Sequence, residues 1–258
     1  MKTIVITGST RGIGLGMAHE FLKRNCNVVV CGRSQSSVDA ALAKLGNESR
    51  VLGQPCDVTD IEQVQALWDA AAAKFGKIDI WINNAGRSHD MSHIWEMPLD
   101  TVHSVLNVNL NGVINGSRVA IAGMYQQGGG HLYNMDGFGS HGRIRVGMSV
   151  YGTSKRAVHY LTKALVKESA ETPVKVSHLS PGMVMTDMLT GHYASPEELE
   201  KAKRIFNILA DKVETVTPWL AEQVLANQKS GANIAWLTGP KIAMRFMTAP
   251  FKKRDLFA

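Results

Sequence analysis

The stretch KTIVITGSTRGIG, Lys2 to Gly14, decides the fold. Residues 2–7 form an apolar, β-branched run with the composition of a strand, and a helical pattern over 12–24 follows at once. Glycines 8, 12 and 14 stand between them. There they let the backbone turn sharply, approach a pyrophosphate and pack the helix on the sheet, while the N–H groups of the helix start hold the anion. A glycine pattern alone is weak evidence. Between a strand and a helix it is a dinucleotide-binding signature.

Working outward, strand-like runs recur at 27–31, 50–54, 78–82, 130–135 and 174–179. Helical patterns lie between them at 12–24, 36–45, 60–75, 100–126 and 151–170. Strands apolar on both faces and alternating with helices specify an α/β fold: a Rossmann-type, doubly wound parallel sheet with helices on both faces. Asp60 is the expected cap of the 60–75 helix and Gly76 its stop; Asp100 is expected to cap the next one. Beyond Gly182 the pattern loosens. Residues 195–213, SPEELEKAKRIFNILADKV, read as one amphipathic helix opened by Ser195 and Pro196.

The chain has 258 residues, 45% hydrophobic and 19% charged, which suits one domain over 1–258 with a single sizeable core. A net charge of +6 marks a mildly basic surface and selects no partner by itself. Cys26, Cys31 and Cys56 lack zinc or redox spacing and read as reduced core residues. No apolar run approaches the roughly 20 residues that span a bilayer, and a strand begins almost at residue 1, so a cytoplasmic enzyme without a leader is expected.

The cofactor's identity turns on the end of the second strand, VVVCGRSQSS (28–37). An NAD site carries an acid there for the ribose hydroxyls. Here Gly32 takes its place, Arg33 and Ser34 follow, and Arg11 sits in the glycine loop. Two guanidinium groups with no carboxylate before Asp39 suit a 2′-phosphate, so NADP(H) is expected.

The motifs CDVTD (56–60), NNAG (83–86), NVNLNG (107–112), YGTSK (151–155) and SPGMVMTDM (180–188) complete a pattern that resembles the short-chain dehydrogenase/reductase superfamily in its compact single-domain branch, over residues 1 to about 190. The resemblance implies cofactor contacts from Gly8, Ser9, Thr10, Arg11, Gly12, Ile13 and Gly14, from Arg33 and Ser34, and from Asp57 and Val58 beside the adenine. It adds Asn84, Ala85 and Gly86, then Pro181 and Gly182, with Val184 and Thr186 at the nicotinamide carboxamide. Asn83 and Asn84 also read as structural ties between strand ends.

Tyr151 and Lys155, four apart on a helix, share one face. A nearby ammonium favours the phenolate and is expected to draw the tyrosine below its ordinary pKa of about 10. Tyr151 then gives a proton to the developing alkoxide in carbonyl reduction, or takes one in the reverse oxidation. By resemblance Lys155 also reaches the nicotinamide ribose, and Asn109, in the long fourth helix, holds a water behind the lysine.

One element departs from the family. NMDGFGS (134–140) lacks the serine that normally hydrogen-bonds the substrate oxygen: counting back from Tyr151 reaches Phe138, and forward from Asn134 reaches Gly137. Ser140, a protonated Asp136, or no replacement at all are the alternatives, with Asp136 ranked last because an ionised carboxylate only accepts. NMDG, YGTSKRAVHYLTKALVKE and the tail WLTGPKIAMRFMTAPFKKR (236–254) resemble the chlorophyll(ide) b reductase group, which reduces a ring formyl with NADPH. That implies an aldehyde on a bulky apolar substrate.

RSHDMSH (87–93) offers His89, Asp90 and His93, but without a third helix-borne ligand, so no metal is expected there and the segment reads as cleft lining or solvated loop. Residues 187–214, with Met183, Met185, Met188 and MLTGHY, form the expected substrate cover. The tail, 231–258, interleaves Trp236, Phe246, Met247, Phe251 and Phe257 with Lys241, Arg245, Lys252, Lys253 and Arg254. Covering the last strand and an oligomer interface, in a dimer by default, ranks ahead of peripheral membrane contact, and no nucleic-acid partner is expected. The family's usual closing strand is not visible. Two rivals stand beside the reductase: a non-catalytic NADP-binding regulator, and an epimerase or dehydratase.

Overall fold

The computed structural model describes residues 1–46, 49–191, 196–251 and 254–257. In chain order these form β1 (Thr3–Ile6), α1 (Gly12–Lys23), β2 (Asn27–Gly32), α2 (Gln35–Leu45), β3 (Val51–Pro55), α3 (Ile61–Phe75) and β4 (Ile80–Asn83). Next come α4 (Leu99–Leu106), α5 (Gly112–Gln126), β5 (Gly130–Met135), α6 (Ser149–Glu168) and β6 (Val174–Ser180). The remainder is β7 (Met183–Met185), α7 (Asp187–Thr190), α8 (Pro196–Leu209), β8 (Ala210–Lys212), α9 (Val213–Ala226), β9 (Asn233–Ala235) and α10 (Gly239–Thr248).

Seven strands form one parallel sheet in the order β3-β2-β1-β4-β5-β6-β9. The two-residue pleat sends Ile4 and Ile6 to one face and Val5 to the other, and both faces are dry. On the first, Met17, Phe21 and Leu220 from α1 and α9 close over the strands; on the second, Leu67, Trp68, Val119 and Met124 from α3 and α5 do so around Trp81. Each such large side chain contributes about 1.5–3 kcal/mol by leaving water. Strand order reverses between β1 and β4, which opens a crevice at their carboxyl ends. The glycine loop leaves β1 and NNAG leaves β4 at that point, so topology delivers both motifs to one place.

The expected helix at 100–126 is broken. A π-turn over Asn107–Asn111 separates α4 from α5 and carries Asn109. Asp60 caps α3 as expected, accepting from Glu62 N and Gln63 N, whereas Asp100 lies in the first turn of α4 and caps nothing. The amphipathic run ends at Leu209, and Ala210–Lys212 pairs with Met183–Met185 in a second small sheet. Ser195, His192 and Tyr193 lie outside the described residues, as do Lys252 and Lys253. The closing strand exists as β9, too short at three residues to register as a run, and α9 and α10 were likewise unread. No helix among the described residues is long and apolar enough to cross a membrane.

Among the described residues, Lys241, Arg245 and Arg254 of the tail turn inward. Arg245 and Arg254 each reach the buried Asp211 carboxylate at 2.7 Å, Trp236 Nε1 donates to it at 2.7 Å, and Lys241 lies 3.1 Å from the centre of the Trp236 ring. Removing the shared anion strands two guanidiniums. Asp211→Ala is therefore expected to cost roughly 2–3 kcal/mol, less than a fully buried pair because Arg254 reaches water. Denaturant midpoints at unchanged slope measure it; a loss under about 0.5 kcal/mol means the tail is not anchored there.

Candidate active site

Helix α6 opens at Ser149, and its first turn is pinned from outside: the Tyr151 N–H donates to His89 Nε2 at 3.3 Å. His89 Nδ1 faces the Asp90 carbonyl at 2.8 Å and so carries the proton, which leaves Nε2 to accept. His89 thus sits at the active site as a backbone clamp, while His93 stacks on Trp95 with centroids 4.5 Å apart. The two histidines serve different purposes and do not converge on a metal.

One turn on, Lys155 is buried and donates from Nζ to the Met135 carbonyl at 3.1 Å. Gly86 separates it from Asn109: a Cβ there would lie 3.5 Å from Asn109 Oδ1 and 3.8 Å from Lys155 Nζ. The asparagine is held on all sides, accepting from Arg87 N at 2.7 Å and donating to Arg87 O at 2.9 Å and Ser154 Oγ at 3.0 Å. Ser154 in turn donates to the Tyr151 carbonyl at 2.7 Å. π-Turns recur at functional sites, and this one delivers the side chain that ties the NNAG loop to the catalytic helix.

Gly137 explains the missing serine. A Cβ built on it would fall 2.6 Å from Tyr151 Oη and 3.1 Å from Lys155 Cγ, so the phenol occupies the space that a side chain would need. Ser140 does not substitute: it is wholly buried, accepting from Gly137 N at 3.0 Å and donating to the Lys155 carbonyl at 3.2 Å. Its hydroxyl shapes the loop. Asp136 is buried too, facing His159 Nδ1 at 3.1 Å, His178 Nδ1 at 3.6 Å and His141 Nε2 at 3.9 Å. Burial works to raise its pKa, but contacts with His178 and His159 outweigh burial and hold the carboxyl below the usual range, so it offers no proton. Phe138 lines the cleft without a polar group. Tyr151, by contrast, lines the cleft with its hydroxyl beside Gly137.

Burial sets the two catalytic pKa values. It pushes Tyr151 up to about 12, against the sequence-based expectation of a lowered phenol. It pushes Lys155 down to about 8, opposed by the nearby Asp136 carboxylate. The phenol is therefore fully protonated at neutral pH, the state a proton donor needs.

At the other end of the cleft, Gly8 adopts φ +61°, and a Cβ on it would strike Ala85 Cα at 2.7 Å. Asn84 Nδ2 ties this loop down through the Thr7 and Gly8 carbonyls at 2.9 and 3.0 Å, so Asn84 is both a strap and a wall of the cleft. Asn83 is wholly internal, bonded to Asn134, Ser117 and Trp81. Thr10, Arg11, Gly12, Ile13, Gly14, Arg33, Asp57, Val58, Ala85 and Gly86 line the cleft, as do Pro181, Gly182, Val184 and Thr186. Two expected contacts are spent elsewhere. Ser9 is buried between the Ile6 carbonyl and the Cys31 N–H, and Ser34 caps α2. Arg11 meets Asp187, at the start of α7, at 3.6 Å. The backbone cradle and its helix N-terminus fit a dinucleotide pyrophosphate.

These features define a class of dinucleotide-dependent oxidoreductase, and residues 2–196 match the short chain dehydrogenase family; the chain belongs to it. It is 39% identical over 249 residues to chlorophyll(ide) b reductase NOL, chloroplastic, of Arabidopsis thaliana, covering 92% of this chain and 70% of that protein. It is 34% identical over 275 aligned positions to "Probable chlorophyll(ide) b reductase NYC1, chloroplastic" of the same plant, covering 99% of this chain but spanning only 54% of that longer protein. Among solved structures it resembles 3-ketoacyl-(acyl-carrier-protein) reductase from Brucella melitensis complexed with NADH, with a TM-score of 0.80 and 25% identity over 93% of this chain and 98% of that one. The cofactor is a nicotinamide dinucleotide.

Restoring the family's serine should harm this enzyme. Gly137→Ser is expected to lower kcat by about 100-fold through displacement of the Tyr151 hydroxyl, with dinucleotide affinity preserved. Steady-state kinetics beside a fluorescence titration of the dinucleotide test this; an active Gly137→Ser enzyme would show that the site accommodates the side chain.

Proposed function

We propose that this chain reduces an aldehyde group on a bulky apolar substrate to the alcohol with NADPH, as the names of its chlorophyll(ide) b reductase relatives suggest. The observation that carries this reading is Gly137 against Tyr151. With one donor aimed at the substrate oxygen, the site suits a carbonyl that accepts hydride readily, and an aldehyde does so better than a ketone.

A bound nicotinamide supplies the hydride. As negative charge grows on the substrate oxygen, the Tyr151 hydroxyl donates its proton, and the Lys155 ammonium balances the phenolate that forms. A phenol near 12 is a weak acid, but an alkoxide is a far stronger base, so the transfer runs downhill in the direction of reduction. His89 and the Asn109–Ser154 network keep the helix turn in register for it. The cleft of about 2250 Å³ exceeds the roughly 1000 Å³ upper end of ordinary small-molecule sites, which leaves room for a dinucleotide and a second large molecule. Met183, Leu189, Ile205, Phe206 and Ile242 give it apolar walls.

NADPH is favoured at the far end. A Cβ at position 32 would meet Thr10 Cγ2 at 2.7 Å and Ser37 Oγ at 3.0 Å, so an acid there would have to displace both side chains, and exposed Arg33 lines the cleft beside it. Arg33→Ala should weaken NADPH about 10- to 100-fold and leave NADH nearly unchanged, as expected for losing a charge-assisted phosphate contact. Equal losses in fluorescence titrations with the two dinucleotides would defeat the phosphate assignment.

NADPH absorbance followed across aldehydes and ketones, formyl-porphyrins included, tests the reaction. Aldehydes should be consumed faster, and Tyr151→Phe should lower the rate by about 100-fold or more. The reading fails if no aldehyde is turned over, or if Tyr151→Phe is fully active. The pH profile carries a further mark. Lys155 loses its charge as pH rises through about 8, so kcat for reduction should fall above that value; a rate flat to pH 9.5 would remove the lysine from the mechanism.

A further inference from the structure

Asp136 draws attention for what surrounds it. Its side chain is fully buried, yet three imidazoles from three parts of the chain point at one oxygen, Oδ2: His159 Nδ1 at 3.1 Å from α6, His178 Nδ1 at 3.6 Å from β6 and His141 Nε2 at 3.9 Å from the loop after β5. The rings crowd together, with centroids 4.7 Å apart for His141 and His159 and 4.3 Å for His159 and His178. Hydrogen bonding accounts for one of these contacts. The two at 3.6 and 3.9 Å are too long. His178 Nδ1 is buried with no hydrogen-bond partner, an arrangement that proteins avoid unless an ion or water completes it.

The ligand atoms of Asp136, His141 and His159 all lie within 4.8 Å of one another. Zinc bonds of 2.0–2.2 Å in a tetrahedron place ligand atoms about 3.3 Å apart, so the observed contacts to Oδ2 straddle the required spacing. Imidazole and carboxylate donors suit zinc and its neighbours in the first transition row and not magnesium, which prefers oxygen. His141 is half exposed and lines the cleft, so an ion has an entry path.

We propose that Asp136, His141 and His159 form a zinc-type transition-metal site that fastens the loop carrying Gly137 to α6, with the orphaned His178 beside it on β6. No spacing motif announces it. The donors are separated by 5 and 18 residues and meet only because the loop after β5 packs on α6 beside the cleft. The site is independent of which carbonyl the enzyme reduces.

Tag-free full-length protein, stripped with chelator and titrated calorimetrically with Zn²⁺, tests the assignment. One Zn²⁺ per chain is expected, with no heat from Mg²⁺. His141→Ala and His159→Ala should each weaken Zn²⁺ by at least about 10-fold. His141 is half exposed, so its variant should keep the wild-type unfolding temperature without metal and lose the rise that Zn²⁺ gives the wild type. Absence of Zn²⁺ binding, or binding that His141→Ala leaves intact, overturns the site: the cluster is then an internal hydrogen-bonded group, or the ion sits on an unrelated surface histidine.

Discussion

The cleft is organised by a close approach between a glycine and a phenol. Gly137 gives up its side chain so that the Tyr151 hydroxyl can lie against the backbone leaving β5, while the carbonyl one residue before Asp136 holds the Lys155 ammonium. Proton donor, counter-charge and sheet edge are thereby fixed by one loop. Ser140 closes that loop on itself and on α6, and His89 closes the opposite side on the backbone of Tyr151. The departure from the family's serine is built into the packing. The position is filled, by the catalytic group itself.

Such packing has an electrostatic consequence. Excluding water from Tyr151 and Lys155 penalises both charged forms, which moves the two groups apart in acidity, the phenol upward and the ammonium downward. A tyrosine in this condition keeps its proton at neutral pH. The asymmetry is intrinsic to the pocket before any substrate arrives.

Much of this was legible in the sequence, and what was not has identifiable causes. β1, β2 and β4 are dominated by apolar runs and β6 alternates apolar with polar residues, so pattern finds them; β7, β8 and β9 are three residues each and take their identity from neighbours. The π-turn hides inside a helical pattern because one wide turn leaves the hydrophobic spacing almost unchanged, although it decides where Asn109 points. Tyr151, Lys155 and the glycine loop are local motifs and could be read directly. Ser9 and Ser34 looked equally like loop residues facing a ligand, but one is consumed by strand carbonyls and amides and the other by a helix cap. The histidines around Asp136 could not be read at all, because their proximity is a product of topology.

The link between Arg11 and Asp187 bears on how the cleft's mouth behaves. Both side chains are more than 80% exposed, so the pair that bridges the glycine loop and α7 stands in bulk water. Ion pairs of that kind bias an equilibrium only a few-fold and weaken further as salt rises. The pair therefore adds little to the join between the glycine loop and α7, and its guanidinium stands in water where an arriving polyanion would meet it.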